Sequence, residues 1–159
     1  MKRMLSMRPA CEPDMAALWT LRTAAVRHSC ASHYAPDVID AWCAAAPPNT
    51  MNALLTAGGA LVVDEAGCAR GYAILNIATG EIDALFVDPA HQGRGIARSL
   101  MSSLEDIARH HGLAQLHLSA SLNAVQFYER AGFGAVRPQS YAHRSGITLD
   151  SVFMVKRVE

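Results

Sequence analysis

The sequence predicts an α+β fold built on a mixed sheet with a central β-α-β unit. Three observations lead there. Residues 12–55 carry apolar side chains at helical spacing, and residues 60–87 alternate short β-rich runs with glycine turns. One long amphipathic stretch, 95–111, then stands between two strand-like runs, 81–87 and 114–120. Strand, helix and strand in that order form a parallel crossover, whereas the neighbouring hairpins are antiparallel, so the sheet is mixed.

The elements follow in order. Glu12-Pro13-Asp14 is an acidic, proline-bearing helix start, after which Met15, Leu18, Trp19, Leu21, Arg22 and Val26 recur at helical spacing toward His28. Pro36-Asp37 restarts a helix through Val38, Ile39 and Trp42; Pro47-Pro48 ends it before a short helical turn at 51–55. Beyond Gly58-Gly59, residues 60–63 and 71–77 read as a hairpin around the turn 64–67. Thr79-Gly80 leads into the strand 81–87, stopped by Asp88-Pro89. The helix 95–111 has Ile96, Leu100, Leu104 and Ile107 on one face and is closed by Gly112. A buried strand at 114–120 follows. Asn123 and Gln126 read as a capping box opening a helix over 124–131, and weaker strands at 135–143 and 149–155 close the chain. With no repeat and no linker, residues 1–159 are expected to form a single domain.

Composition sets the outer limits. At 159 residues, 51% hydrophobic and 18% charged, the chain suits one domain with a full core and is unlike a disordered polymer. Lys+Arg 14 against Asp+Glu 14 gives zero net charge, so there is no diffuse basic surface for nucleic acid or an anionic membrane, and neither is an expected partner. Any anionic ligand must be held locally. Cys11, Cys30, Cys43 and Cys68 form no C-x-x-C pair and no Cys/His cluster, which predicts reduced structural thiols and no metal. Arg8 and Pro9 interrupt the basic start before an apolar run develops. The stretch 53–63, broken by Thr56, Gly58 and Gly59, falls short of the ~20 residues of a spanning helix, so a cytoplasmic protein is expected.

The chemistry concentrates between residues 81 and 98. The strand 81–87 runs through Asp88-Pro-Ala-His91 into Gln92-Gly93-Arg94-Gly95-Ile96-Ala97, which opens the long helix. A glycine-bearing strand-to-helix turn can converge backbone N–H groups on an anion, with help from the helix dipole; it can equally be only a tight turn. Two familiar phosphate loops are absent. No Gly-Lys-Ser/Thr run exists, Arg98 stands where a dinucleotide fingerprint needs its third small residue, and Gln115 stands where that fingerprint needs an acid.

These residues resemble the GNAT superfamily of acyl-CoA-dependent N-acyltransferases. Its Gln/Arg-x-x-Gly-x-Gly/Ala hallmark is met by Gln92, Gly95 and Ala97, and its Asn-x-x-x-x-Tyr-x-x-x-Gly-Phe hallmark by Asn123, Tyr128, Gly132 and Phe133. The resemblance implies a mostly antiparallel sheet with helices on both faces, and acetyl-CoA held where the strands ending near Val87 and Ala120 splay apart. Leu85, Phe86 and Val87 would pair with the pantetheine amides. Gln92, Gly93, Arg94, Gly95, Ile96 and Ala97 would hold the pyrophosphate, with Arg94 or Arg98 near the adenosine phosphate and Asn123 also at the cofactor.

Acyl transfer to an amine needs a neutral nucleophile and a stabilised leaving thiolate. Alternation along 81–87 places Glu81 and Asp83 on one face with Leu85, as a base pair of carboxylates or as a polar strand edge. Asp83 is the nearer of the two to the acyl end. Tyr128 reads from its helix as a core aromatic beside Phe127; the resemblance makes it the partner of the thiolate. Asn123 reads equally as an N-cap. His33 and Tyr34, in the connection between the first two helices, and Tyr141, His143 and Arg144 in the tail are candidates for the acceptor side, or else surface or hydrogen-bonded filler. The reading is an N-acetyltransferase acting on a primary amine by direct attack. Its rivals are an acyl-CoA-binding module without turnover and a nucleotide-binding domain. A free tail-strand edge also predicts pairing into a homodimer.

Overall fold

The central strands are apolar on both faces, and the helices divide between those faces accordingly. The computed structural model describes residues 4–143 and 146–159, apart from the side chain of Tyr141. Seven strands, β1 (Leu5–Pro9), β2 (Ala60–Glu65), β3 (Cys68–Asn76), β4 (Glu81–Val87), β5 (Gln115–Ser121), β6 (Gly134–Ala142) and β7 (Thr148–Arg157), form one sheet in the order 1-2-3-4-5-7-6. Only β4 and β5 are parallel. The helices are α1 (Met15–Ser29), α2 (Pro36–Ala44), α3 (Met51–Thr56), α4 (Ile96–His110) and α5 (Val125–Arg130).

On one face, Ile96, Leu100, Met101, Leu104 and Ala108 of α4 pack against Ala73, Leu75, Leu116, Leu118 and Met154. The opposite face carries α1 and α3, with Leu18, Leu21, Met51 and Leu55 against Val62, Tyr72 and Ile74. A smaller cluster of Val26, Cys30 and Ile39 joins the end of α1 to α2, with Phe86 packed against it. All four cysteines are free thiols. Among the described residues no helix is long and apolar enough to cross a membrane.

Two details depart from the sequence expectation. The first is β1, an edge strand antiparallel to β2 where no strand was expected, with Leu5 opposite Glu65 and Pro9 opposite Leu61. Only its Leu5 and Met7 pack against the core, too few apolar positions to stand out, and Pro9 is tolerated because the strand is an edge. Arg8 of this strand donates to both carboxylate oxygens of Asp14 at 2.8 and 2.9 Å, tying β1 to the start of α1. Those bonds hold the Asp14 carboxyl well below the usual carboxylate range.

The second is a β-bulge. Ile74 pairs with Ala84 and Leu75 with Ile82, leaving Asp83 as the extra residue of β4. The bulge breaks the expected alternation. Ile82, Leu85 and Val87 pack toward α4, whereas Ala84 and Phe86 pack toward α1, so Glu81, Asp83 and Leu85 do not share one face.

One close approach sets the seat of α4. Gly71 of β3 lies beneath its first turn, where a Cβ would come within 2.6 Å of Ile96 Cγ2, 3.2 Å of the Phe86 carbonyl oxygen and 3.3 Å of Leu100 Cδ1. Ile96 is branched at that point and the carbonyl is backbone, so neither can swing away cheaply. Gly71→Ala is therefore expected to lower stability by about 1–3 kcal/mol, read from its urea midpoint. An unchanged midpoint would mean that the helix lifts at no cost.

Candidate active site

The parallel pair touches at one register point, Glu81 opposite His117, and parts beyond it. From there to Val87 the β5-facing edge of β4 has no strand partner, while its other edge stays paired with β3. A cleft of about 730 Å³ opens between the strands and the α1 side. It brings together Asp83, Leu85, Phe86, Val87, Gln92, Ala97, Asn123 and Tyr128 with His33, Tyr34 and His143.

At one end of this cleft a second pocket of about 260 Å³ is lined by Gln92, Gly93, Gly95, Ile96, Ala97 and Arg98. Gly93 and Gly95 have φ of +79° and +77°, a backbone that side-chain-bearing residues rarely adopt, and no atom lies within 4 Å of where their Cβ would be. Gly95 caps α4 without a side chain, and no side chain supplies a cap bond, so the first-turn N–H groups remain for an anion. Ile96 contributes only backbone here, because its side chain is buried over Gly71.

The two arginines of this turn are not equivalent. Arg94 donates to Glu65 at 2.8 Å and to His91 Nδ1 at 2.8 Å, and it lines none of the pockets described. Glu65, 7% exposed, also accepts from Arg70 at 3.3 Å, and Arg70 lies 3.7 Å from Asp88. Arg94 thus anchors the loop to the β2–β3 hairpin, whereas Arg98 lines the pocket wall.

Asp83 and Glu81 also separate. Asp83 reaches the large cleft and, with Glu81, Ser119, Gln139 and Ser140, a neighbouring pocket of about 580 Å³. Protein around Asp83 removes solvation and the Glu81 charge adds repulsion, both of which raise its pKa above the ordinary carboxylate value. Glu81 is exposed and lies 3.8 Å from His117 Nε2. Tyr128 is 8% exposed, between Phe127 and Phe133 with ring centroids at 5.2 and 5.7 Å. Burial alone pushes its phenol well above the usual tyrosine value, so it stays protonated and available as a donor.

Several candidate residues hold structure. Asn123 is not an N-cap: a 3-10 turn at Leu122–Ala124 precedes α5, no side chain caps that helix, and Asn123 Oδ1 accepts from Cys30 Sγ at 3.2 Å. The Tyr34 hydroxyl donates to the Asp150 carbonyl at 2.5 Å and accepts from Leu122 N at 3.0 Å. His33 is exposed, with its Nδ1 2.9 Å from Ser32 Oγ. The Tyr141 side chain and Arg144 lie outside the described residues. Among the described residues, no three His, Cys, Asp or Glu side chains could together hold a metal ion.

Arg22 is one of the lining residues absent from the candidates. It is 4% exposed on α1, over the Trp19 ring at 4.2 Å, and it donates to the Trp42 carbonyl at 2.8 Å. Its mark in the sequence is a charge at a core-facing position between Leu21 and Ala25.

The model of the family described as "Acetyltransferase (GNAT) domain" matches residues 30–151. Glucosamine 6-phosphate N-acetyltransferase of Trypanosoma brucei brucei is 36% identical over 58 residues, which cover 36% of this chain and 40% of that protein. A solved structure described as a GCN5-related N-acetyltransferase from Rhodopseudomonas palustris superposes with a TM-score of 0.86 at 27% identity, covering 99% of this chain and 98% of that one. The structure of yncA from Salmonella typhimurium, described as a putative acetyltransferase with its cofactor acetyl-CoA, superposes with a TM-score of 0.67 at 25% identity, covering 98% and 95%.

The environment of Asp83 has a consequence for stability. A carboxyl whose pKa is raised by folding binds its proton more tightly in the folded chain, so its ionisation opposes folding as pH rises through that raised value. Asp83→Asn is expected to unfold at a higher urea concentration than the parent at pH 7. The gap should close as pH falls toward the ordinary value of 3.8. Equal midpoints at pH 7 would place Asp83 among ordinary surface carboxylates.

Proposed function

The chain belongs to the GNAT acetyltransferase family, and from that premise we propose that it moves an acetyl group from acetyl-CoA to a primary amine by direct attack in a ternary complex. The observation that carries this reading is the one-sided pairing of β4, which leaves a strand edge open in a cleft that holds Asp83, Tyr128 and the end of the glycine turn. Acetyl-CoA supplies a thioester carbonyl there. The open N–H and C=O groups of Leu85 to Val87 take the pantetheine amides as an added strand would. The first-turn amides of α4 and the Gln92–Gly95 loop hold the pyrophosphate, and Arg98 serves the adenosine phosphate.

The chemistry is divided between two residues. An alkylammonium with pKa ~10.4 is about three units from deprotonation at neutral pH, so the nucleophile needs a base. Asp83 takes that proton, directly or through water, and its raised pKa brings it closer to the working pH than an ordinary carboxylate. The amine nitrogen bonds the carbonyl carbon, the C–S bond breaks, and the Tyr128 hydroxyl donates a hydrogen bond to the sulfur that receives the electron pair. The proton that the nitrogen sheds in becoming an amide passes through water to that sulfur, so CoA leaves as the thiol. At ordinary values proton transfer from a phenol of pKa ~10 to a thiolate of ~8.5 is uphill by about 2 kcal/mol, and burial of Tyr128 raises that cost, so its contribution is the hydrogen bond. Glu81 acts on Asp83 through its charge.

Ligand binding and turnover test this separately. CoA is expected to raise the melting temperature, whereas NAD and ATP leave it unchanged; the opposite pattern would overturn the cofactor assignment. In a thiol-release assay Tyr128→Phe should lower kcat about 100-fold, the lower end of the range for a positioned acid, while the Kd for CoA changes less than about twofold. An unaltered kcat would remove Tyr128 from the reaction.

A further inference from the structure

We propose that Lys156 of β7 is a positioning residue for acetyl transfer: by tying the end of α5 to α4 it sets the Tyr128 hydroxyl against the sulfur of the bound thioester. The inference rests on the N-acetyltransferase reading and adds to it a residue outside the cleft. Lys156 lines none of the pockets described, so it acts through what it holds and not on the reacting atoms. Its Nζ donates to the Ala131 carbonyl, at the end of α5, at 2.6 Å and forms an ion pair with Glu105 of α4. Water has little access to the pair, whose side chains are 23% and 13% exposed. A cation at a helix C-terminus meets both the carbonyls that the helix leaves unpaired and the negative end of its dipole. Bonds of this charge-assisted kind are the shorter and stronger ones.

The helix that carries Tyr128 depends on such an anchor. α5 has six residues and no side-chain cap at its start, well short of the ~12–15 residues at which an isolated helix becomes even marginal. Its place is therefore set by contacts from outside. The turn before it is held from the end of α1, by the Tyr34 hydroxyl at Leu122 N and by Cys30 at Asn123, while Lys156 holds the other end. Tyr128 lies between these anchors. Its ring packs edge-on against Phe127 and Phe133, which fixes the ring plane by apolar contact alone, so the reach of the hydroxyl into the cleft follows from where α5 sits. α4 is seated differently, by five buried side chains from Ile96 to Ala108. Glu105 is thus the fixed end of the pair, and α5 is the element that Lys156 adjusts. The chain also leaves room for the lysine: at Gly132, with φ of +97°, a Cβ would lie 3.0 Å from Lys156 Cε and 3.2 Å from its Nζ. A side chain there would crowd the ammonium at the carbonyl it serves.

The test reads the sulfur directly and needs no acceptor. CoA bound to the full chain is titrated through the ultraviolet absorbance of its thiolate, as a difference against the same chain without CoA. A hydrogen bond to the thiolate favours the ionised form, so its loss raises the pKa of the bound thiol. Tyr128→Phe should raise that pKa by about one unit, a tenfold loss of preference for the thiolate, and Lys156→Met should raise it by a comparable amount. Lys156→Arg, which keeps a donor for the Ala131 carbonyl, should stay nearer the parent than Lys156→Met. In turnover, Lys156→Met should lower kcat about tenfold with KM for acetyl-CoA changed less than about twofold, and should cost less than about twofold once residue 128 is already Phe. A purely structural lysine would move the melting temperature and none of these. A thiol pKa raised in Tyr128→Phe but not in Lys156→Met overturns the inference and leaves the N-acetyltransferase reading standing, as does a Lys156→Met loss undiminished in the Tyr128→Phe background. No rise in Tyr128→Phe itself removes the thiolate donor from that reading, and the inference with it. If Lys156→Met fails to fold, Glu105→Gln, which keeps the Ala131 bond but releases it from α4, takes its place: a raised thiol pKa supports the inference and an unchanged one overturns it.

Discussion

The separation of β4 from β5 is the constraint on which the site depends. At the base the strands are pressed together: His117 N donates to the Gly80 carbonyl at 3.1 Å, and a Cβ on Gly80 would lie 2.8 Å from the Gln115 carbonyl oxygen. Farther along, each strand is committed outward. β4 remains paired with β3 as far as Val87 opposite Gly71, and β5 remains paired with β7 as far as Ser121 opposite Ser151. The Asp83 bulge stands just beyond the last point of contact with β5, and an extra residue there bends β4 where the two strands part. The opening thus begins at the bulge, between strands whose outer edges stay paired.

The helical first third braces that opening. Tyr34 bridges the turn after β5 and the start of β7 through one hydroxyl, Cys30 reaches Asn123, and Gln92 of the glycine turn donates to Ser29 at 3.3 Å. These contacts join the end of α1 to three points around the mouth of the splay. Their polar atoms are committed to holding the rim of the cleft that Asp83 and Tyr128 line. On the far side Glu65 does similar work by fixing Arg94, so that two glycines with positive φ are presented from a tethered loop.

Much of the fold was legible because its period and punctuation agree. The α4 stripe from Ile96 to Leu104, the Asp88-Pro89 stop and the apolar run of β5 each point to one element. β1 was not, because a short edge strand buries too little to impose a pattern. The Asp83 bulge was not, because an inserted residue leaves the composition of a strand unchanged while shifting one part of it by one position against its partner. The glycine turn was recognisable as an anion cradle or a tight turn, but Gln92-Gly93-Arg94-Gly95 contains no information on the carboxylate that Arg94 meets: Glu65 lies 29 positions earlier. Arg22 was visible as part of a helical stripe and invisible as a charge in a cleft, since periodicity counts positions and not the space in front of them.

Zero net charge takes a different meaning once the partners are known. Arg8 with Asp14, Arg94 and Arg70 with Glu65, and Lys156 with Glu105 are pairs that tie elements together, and their fields largely cancel at a distance. What remains is local. Arg98 faces the pocket at the start of α4, and Asp83 faces the neighbouring cleft from β4. A neutral chain can therefore carry local charge of each sign, provided that each charge is held by its own element of the fold. Under the proposed reaction the local balance at Asp83 is functional: desolvation and the neighbouring Glu81 charge both raise its pKa and so strengthen it as a base, which a cation paired directly with it would undo.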